Sequence, residues 1–260
     1  MDMKSSITKS SQSDSRIEVI QILRLVSALG IIVFHSQIIG GYGYFGVDLL
    51  FIISGYVTVL STTNIEQRNN FLLKRLIRII PLYWLLTFLT YVLIYYMPQL
   101  SVNSEATLEY LFKSLFFIPF INSRGCDMPI MIVGWTLNFE VFFYIIFSIA
   151  QWINHKYRGQ ITIIILLILI GVGYLIDSPF IVDYYASLTL LEFVLGITAY
   201  FVLEKLNICK IGIQNKKFEK IVYFCLVIIS SLWLVFDIGS KLMLTRAIRL
   251  GIPAFICVLR

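Results

Sequence analysis

Arg24 and His35 lie eleven residues apart inside one apolar run, Ile17–Ile39. In a helix that spacing is about three turns, so both side chains share a face, about 16 Å apart along the axis. Polar groups are costly in a bilayer, and within it they face a bundle interior or a wet cavity. A cation and an imidazole on one stripe therefore point to a site rather than a lipid-facing wall. Histidine takes and returns a proton near neutral pH, which fits His35 to general-base chemistry. Asp48, Glu140 and Glu192 also fall in apolar surroundings. Each has a structural alternative, because an ion pair of Arg24 with Glu140 or Glu192 would lock a bundle. For Glu192 that structural role is the stronger expectation.

A second group is Lys74, Arg75 and Arg78, where a basic loop enters an apolar run. Bases three apart share a helix face and can grip one polyphosphate. On charge pattern alone, ordinary flanking of a membrane span is the simpler account. Ser54 and Gly55 place small residues inside an apolar run, where they permit close helix approach. Gly40, Gly41, Gly43 and Gly46 make the preceding turn tight or mobile.

These residues must be positioned by membrane-spanning helices. The 260-residue chain is 58% hydrophobic and 14% charged, and its mean hydropathy is +0.85. A soluble domain carries about 25% charged residues. The apolar runs are long and continuous, unlike the short alternating segments of a transmembrane barrel. The expected class is all-α, a polytopic transmembrane helix bundle. Spans are expected at approximately 17–39, 43–62, 76–97, 130–153, 160–177, 183–203, 219–237 and 242–259. Segment 108–121 is short, holds Lys113 and Pro119, and reads as an interfacial or re-entrant piece.

Basic residues cluster in the tail 1–16, after the second span, in 154–160 and in 204–220. All fall on one side if 108–121 does not cross, and the positive-inside rule makes that side the cytoplasm. Residues 1–16 then form a cytoplasmic tail, and 17–260 one transmembrane domain. The net charge of +6 reflects topology and implies no nucleic-acid partner. Cys126, Cys209, Cys225 and Cys257 lack metal-type spacing, and His35 and His155 are far apart, so no metal site is expected.

The run Ile20-Gln21-Ile22-Leu23-Arg24 through His35, followed by Gly46-Val47-Asp48-Leu49-Leu50-Phe51-Ile52-Ile53-Ser54-Gly55, resembles the membrane acyltransferase-3 family. Leu50 replaces the first Phe of that family's Phe-Phe-x-x-Ser-Gly-like motif. Arg75-Leu76-Ile77-Arg78 is similar to its Arg-x-x-Arg segment. Trp135-Thr136-Leu137, Glu140 and Phe143-Tyr144 match its Trp-Ser-Leu-x-x-Glu-x-x-Phe-Tyr segment, with Thr136 for Ser. Leu191-Glu192-Phe193 with Gly196 also matches. The resemblance departs at the end of the chain: it implies about ten spans of about 20 apolar residues each, against the eight expected here. An incomplete C-terminal end is expected.

The resemblance implies O-acyl transfer, most often of acetyl, from cytoplasmic acyl-coenzyme A to a hydroxyl of a cell-surface polysaccharide or lipid-linked glycan precursor. His35 would act as base. Arg24 would guide the donor or polarise its thioester, and Glu140 would orient His35 or stabilise Arg24. Lys74, Arg75 and Arg78 would hold the donor's phosphates, with Asp48, Ser54, Gly55, Trp135, Tyr144 and Glu192 in support. No permanently bound cofactor is expected, and acetyl-coenzyme A enters as a substrate. Partners would be a sugar or glycolipid acceptor, the bilayer of a bacterial cytoplasmic membrane and polysaccharide-assembly proteins. A proton-coupled transporter is a rival, since Arg, His and Glu also build proton relays. An inactive, shortened homologue is another.

Overall fold

The computed structural model describes residues 20–33, 35, 45–63, 70–101, 104–176 and 179–209, with side chains through 205. Among the described residues the chain is all-α, 77% helix, with no strand. We number the helices α1 (Ile20–Val33), α2 (Phe45–Leu60), α3 (Phe71–Tyr96), α4 (Leu108–Leu115), α5 (Gly134–Ile153), α6 (Arg158–Leu175), α7 (Phe180–Tyr185) and α8 (Leu190–Cys209). A single 3-10 turn, Pro98–Leu100, follows α3. Two compact units emerge: one joins the chain up to Leu60 with that from Leu191, and the other is Ser61–Leu190.

Among the described residues, four stretches are long and apolar enough to cross a membrane: α3, α5, α6 and Phe180–Lys205. The expected spans 219–237 and 242–259, the basic tail 1–16, Cys225 and Cys257 lie outside the described residues. Several boundaries differ from expectation. α3 begins at Phe71 rather than 76, so Lys74 and Arg75 join Arg78 within the helix. The expected span 183–203 falls within Phe180–Lys205, but its helix is interrupted. The Ser187 hydroxyl accepts from the Thr189 amide (3.3 Å), and the Leu190 amide donates to the Ser187 carbonyl (3.1 Å). Such serine turns compete with helix, so α7 stops and α8 starts afresh. Glu192, expected near mid-span, therefore sits in the first turn of α8. Similarly, α5 starts at Gly134 rather than 130, which leaves Glu140 a little to the N-terminal side of its middle.

The first unit is built on two close backbone crossings. A Cβ on Gly196 would strike the Ile52 carbonyl oxygen and come within 2.9 Å of the Tyr56 amide nitrogen. One on Gly55 would lie 3.2 Å from the Gly196 Cα. α2 and α8 thus touch backbone to backbone, the approach that small residues permit. Phe51 packs on Phe193 with centroids 4.8 Å apart, and Tyr56 lies edge-on to Tyr200 at 6.0 Å, so the two helices run in the same direction. α1 runs antiparallel to α2: Gly46 meets the backbone of Ser27 and Ile31. Leu49, Ile52, Ile53, Tyr56 and Ala199 form the buried core, with Ile20 and Leu23 against it.

In the second unit, α3 and α5 run antiparallel. Phe71 packs edge-on to Tyr144 at one end, and Tyr83 abuts Gly134 at the other. α4 has 8 residues, so its length of about 12 Å falls short of the roughly 30 Å hydrocarbon core. α4 alone is therefore too short to cross. Its outer stripe, Leu108, Phe112 and Phe116, is exposed. It is tied to α3 by the Tyr83 hydroxyl on the Ser114 carbonyl (3.0 Å) and by Trp84 Nε1 on the Leu115 carbonyl (2.9 Å). α4 ends in a left-handed residue, Phe117 (φ 58°), where glycine is usual. The Tyr185 hydroxyl on its carbonyl (3.0 Å) and Tyr83 stacked on its ring hold it there.

The α2–α8 crossing leads to a direct test. Gly196→Ala places a methyl group against backbone that cannot yield, and should cost roughly 1–3 kcal/mol. Gly171→Ala, facing open space, is the control. Equal thermal unfolding of the two variants in detergent would contradict the crossing.

Candidate functional site

The expected site residues divide between the two units. Arg24, His35, Asp48, Ser54, Gly55 and Glu192 belong to the first, and Lys74, Arg75, Arg78, Trp135, Glu140 and Tyr144 to the second.

In the first unit, antiparallel α1 ends where α2 begins, and α8 begins at the same end because it runs with α2. His35, Asp48 and Glu192 are thereby brought to one end. Asp48 and Glu192 are 1% and 3% exposed, and both lie in first turns. A first turn is the positive end of the helix dipole and stabilises a carboxylate there. His35 is exposed, whereas Arg24 is half-buried and lies about three turns further along the same helix. Ser54 and Gly55 are buried at the α2–α8 crossing, so packing accounts for Gly55.

The second unit assembles a site around Arg75. Its guanidinium lies over two rings, 5.5 Å from the Phe71 centroid and 5.4 Å from that of Tyr144. Its Nη2 donates to the Ser61 hydroxyl at 2.9 Å. Ring faces attract a cation through their quadrupole, and a hydroxyl accepts without neutralising it. Neither of the two ion pairs found, Lys113–Glu109 and Arg124–Glu105, involves Arg75. Among the described residues its position is thus fixed by rings and a hydroxyl, with no carboxylate paired to it.

Tyr144 joins this cation to an acid. Its hydroxyl donates to Glu140 Oε1 at 2.5 Å, one turn back along α5. Phe71 also packs on Phe147 at 5.3 Å, which continues the same stripe. Glu140, Tyr144 and Phe147 are four and three residues apart, so α5 presents them on one face. Arg78 and Lys74 are exposed on α3, and Arg78 follows Arg75 on its face. Trp135 is half-buried, edge-on to Phe139 at 6.2 Å, away from this cluster at the start of α5.

Sequence reasoning missed three members. Phe71 lies before the expected start of the third span, and Ser61 near the expected end of the second. Arg158, expected as an ordinary loop base, is instead 8% exposed; its Nε donates to Thr62 Oγ1 at 2.9 Å. Nothing in local composition separates these residues from flanking ones.

With this geometry in view, the chain belongs to the acyltransferase-3 family, whose model, described as an acyltransferase domain, matches residues 17–259. Membership and the long apolar helices make it a membrane protein. It is similar to the exopolysaccharide production protein ExoZ of Rhizobium meliloti (strain 1021), 34% identical over 158 residues. That alignment covers 59% of this chain and 49% of the relative, so the chain spans about half the length of the curated relative it matches. No solved structure matches the chain.

The clamp on Arg75 predicts a graded response. Tyr144→Phe keeps the ring beneath the guanidinium, whereas Tyr144→Leu removes it and should cost about 0.5–2 kcal/mol more. Thermal unfolding of the two variants in detergent measures the difference. Equal stability would mean that the ring does not hold Arg75.

Proposed function

We propose that this chain is a membrane O-acyltransferase that moves an acyl group, acetyl foremost, from cytoplasmic acyl-coenzyme A to a hydroxyl of an exopolysaccharide or its lipid-linked precursor. Family membership and the likeness to a protein named for exopolysaccharide production support this reading. The observation that carries it is Arg75, a guanidinium fixed by Phe71, Tyr144 and Ser61 with its charge unneutralised. A pre-oriented planar cation of this kind suits the phosphates of coenzyme A. Arg78 and Lys74 add exposed positive charge on the same helix. In this reading the Arg75 end of the second unit faces the cytoplasm of a bacterial cell, as does the N-terminus. Assembly proteins of the polysaccharide are the natural partners.

The acceptor hydroxyl is a poor nucleophile until its proton is removed, and His35 is the base for that step. The alcohol oxygen then bonds to the acyl carbon, the carbon–sulfur bond breaks, and the thiolate of coenzyme A takes up the proton. Arg24 and His35 are about 16 Å apart along one helix, too far to serve a single reacting atom together. Guiding the donor's phosphopantetheine arm is therefore the better role for Arg24 than polarising the thioester. The buried Asp48 and Glu192 lie at the His35 end of the first unit and support that end of the site. Glu140, engaged by Tyr144, supports the donor end.

Membranes containing the chain, radiolabelled acetyl-coenzyme A and a lipid-linked glycan fraction test this reading. His35→Ala should abolish incorporation while the protein still inserts; near-normal labelling by that variant would remove His35 from the base role. Arg75→Ala should raise the apparent donor KM about tenfold or more, the loss of a charge-assisted hydrogen bond. An unchanged KM would take the donor away from Arg75.

A further inference from the structure

Ser61 and Thr62 are consecutive, and each receives a guanidinium. Ser61 Oγ accepts from Arg75 Nη2 and Thr62 Oγ1 from Arg158 Nε, both at 2.9 Å. Arg158 opens α6, 97 positions after Ser61 by numbering, and it is buried. A base that merely flanked a membrane span would extend its head group into water. Arg158 instead folds inward, and its Nη1 donates to the His155 carbonyl at 2.9 Å. Its own carbonyl accepts from the Thr162 hydroxyl at 2.7 Å. Burying a guanidinium is costly unless its geometry is well satisfied, and the planar fork makes such a tie rigid.

We infer that Arg158 is a positioning residue for Arg75, acting through the turn at Ser61–Thr62. The inference rests on the reading of Arg75 as the donor-phosphate ligand. Adjacent Cα atoms are fixed about 3.8 Å apart, so holding the Thr62 side chain also holds the Ser61 backbone. The π faces of Phe71 and Tyr144 set the depth of the Arg75 head but leave it free to turn in their plane. The Ser61 hydroxyl removes that freedom. Ser61 is exposed, so loss of the Arg158–Thr62 bond loosens the turn that carries its hydroxyl. Arg75 would then keep its charge but lose the orientation that bidentate phosphate binding needs.

Binding of coenzyme A to the full chain in nanodiscs, followed by calorimetry, tests this with Arg75→Ala, Arg158→Met, Thr62→Val, Arg158→Lys and the double variant Arg75→Ala/Arg158→Met. Arg75→Ala should weaken binding about tenfold, and Arg158→Met and Thr62→Val by somewhat less. The double variant should bind no worse than Arg75→Ala alone, because Arg158 acts only through Arg75. Arg158→Lys should stay weak, since an ammonium cannot reproduce the fork. Thr62→Val is close to isosteric and tests the same link if Arg158→Met fails to fold. Wild-type affinity in Arg158→Met and Thr62→Val, with Arg75→Ala weakened, would overturn the inference and leave the Arg75 reading standing. Additive losses in the double variant, or full recovery with lysine, would also overturn it. Wild-type affinity in Arg75→Ala would overturn the reading on which it rests.

Discussion

A guanidinium among apolar helices must be matched without being cancelled, and the second unit is organised around that constraint. A carboxylate beside Arg75 would satisfy it at the expense of its attraction for an anion. The chain uses two aromatic faces and a hydroxyl instead. Those partners come from α3 itself, from α5 and from the turn after α2. The antiparallel register of α3 and α5 follows: Phe71 must reach Tyr144 and Phe147 at one end, while Tyr83 meets Gly134 at the other.

The first unit meets a different constraint, the burial of two acids. Asp48 and Glu192 are nearly inaccessible, and a buried carboxylate needs compensation. The parallel run of α2 and α8 places both in first turns, where unpaired amides and the helix dipole favour negative charge. That parallel run depends on the backbone contact at Gly55 and Gly196. The glycines thus fix the two helix starts at one end with His35.

Much of this was legible in the chain. Long apolar runs gave the helical class, because a spanning backbone has few ways to satisfy its hydrogen bonds. The Arg-x-x-Arg and Trp-x-x-x-x-Glu segments located Arg75, Glu140 and Tyr144 because they are local patterns. Boundaries set by side-chain competition were not legible. The Ser187 turn breaks an apolar stretch that hydropathy reads as continuous. The roles of Ser61, Phe71 and Arg158 were hidden for a related reason. A flanking base and a buried tie have the same composition, and only a partner distant in sequence distinguishes them.

Tyr144 shows why residue type matters more than charge count in such a site. Its ring lies beneath Arg75 and its hydroxyl reaches Glu140, so one side chain couples a cation to an acid without bringing them into contact. Phenylalanine would keep the first interaction and lose the second. Glutamate in its place would meet the guanidinium directly and neutralise it. An amphipathic aromatic residue separates the two charges by the width of its ring, leaving the cation for a ligand and the acid within its network. Under the proposed role of Arg75 in donor binding that separation matters, since a cation already paired would have to break its bond before taking an anion.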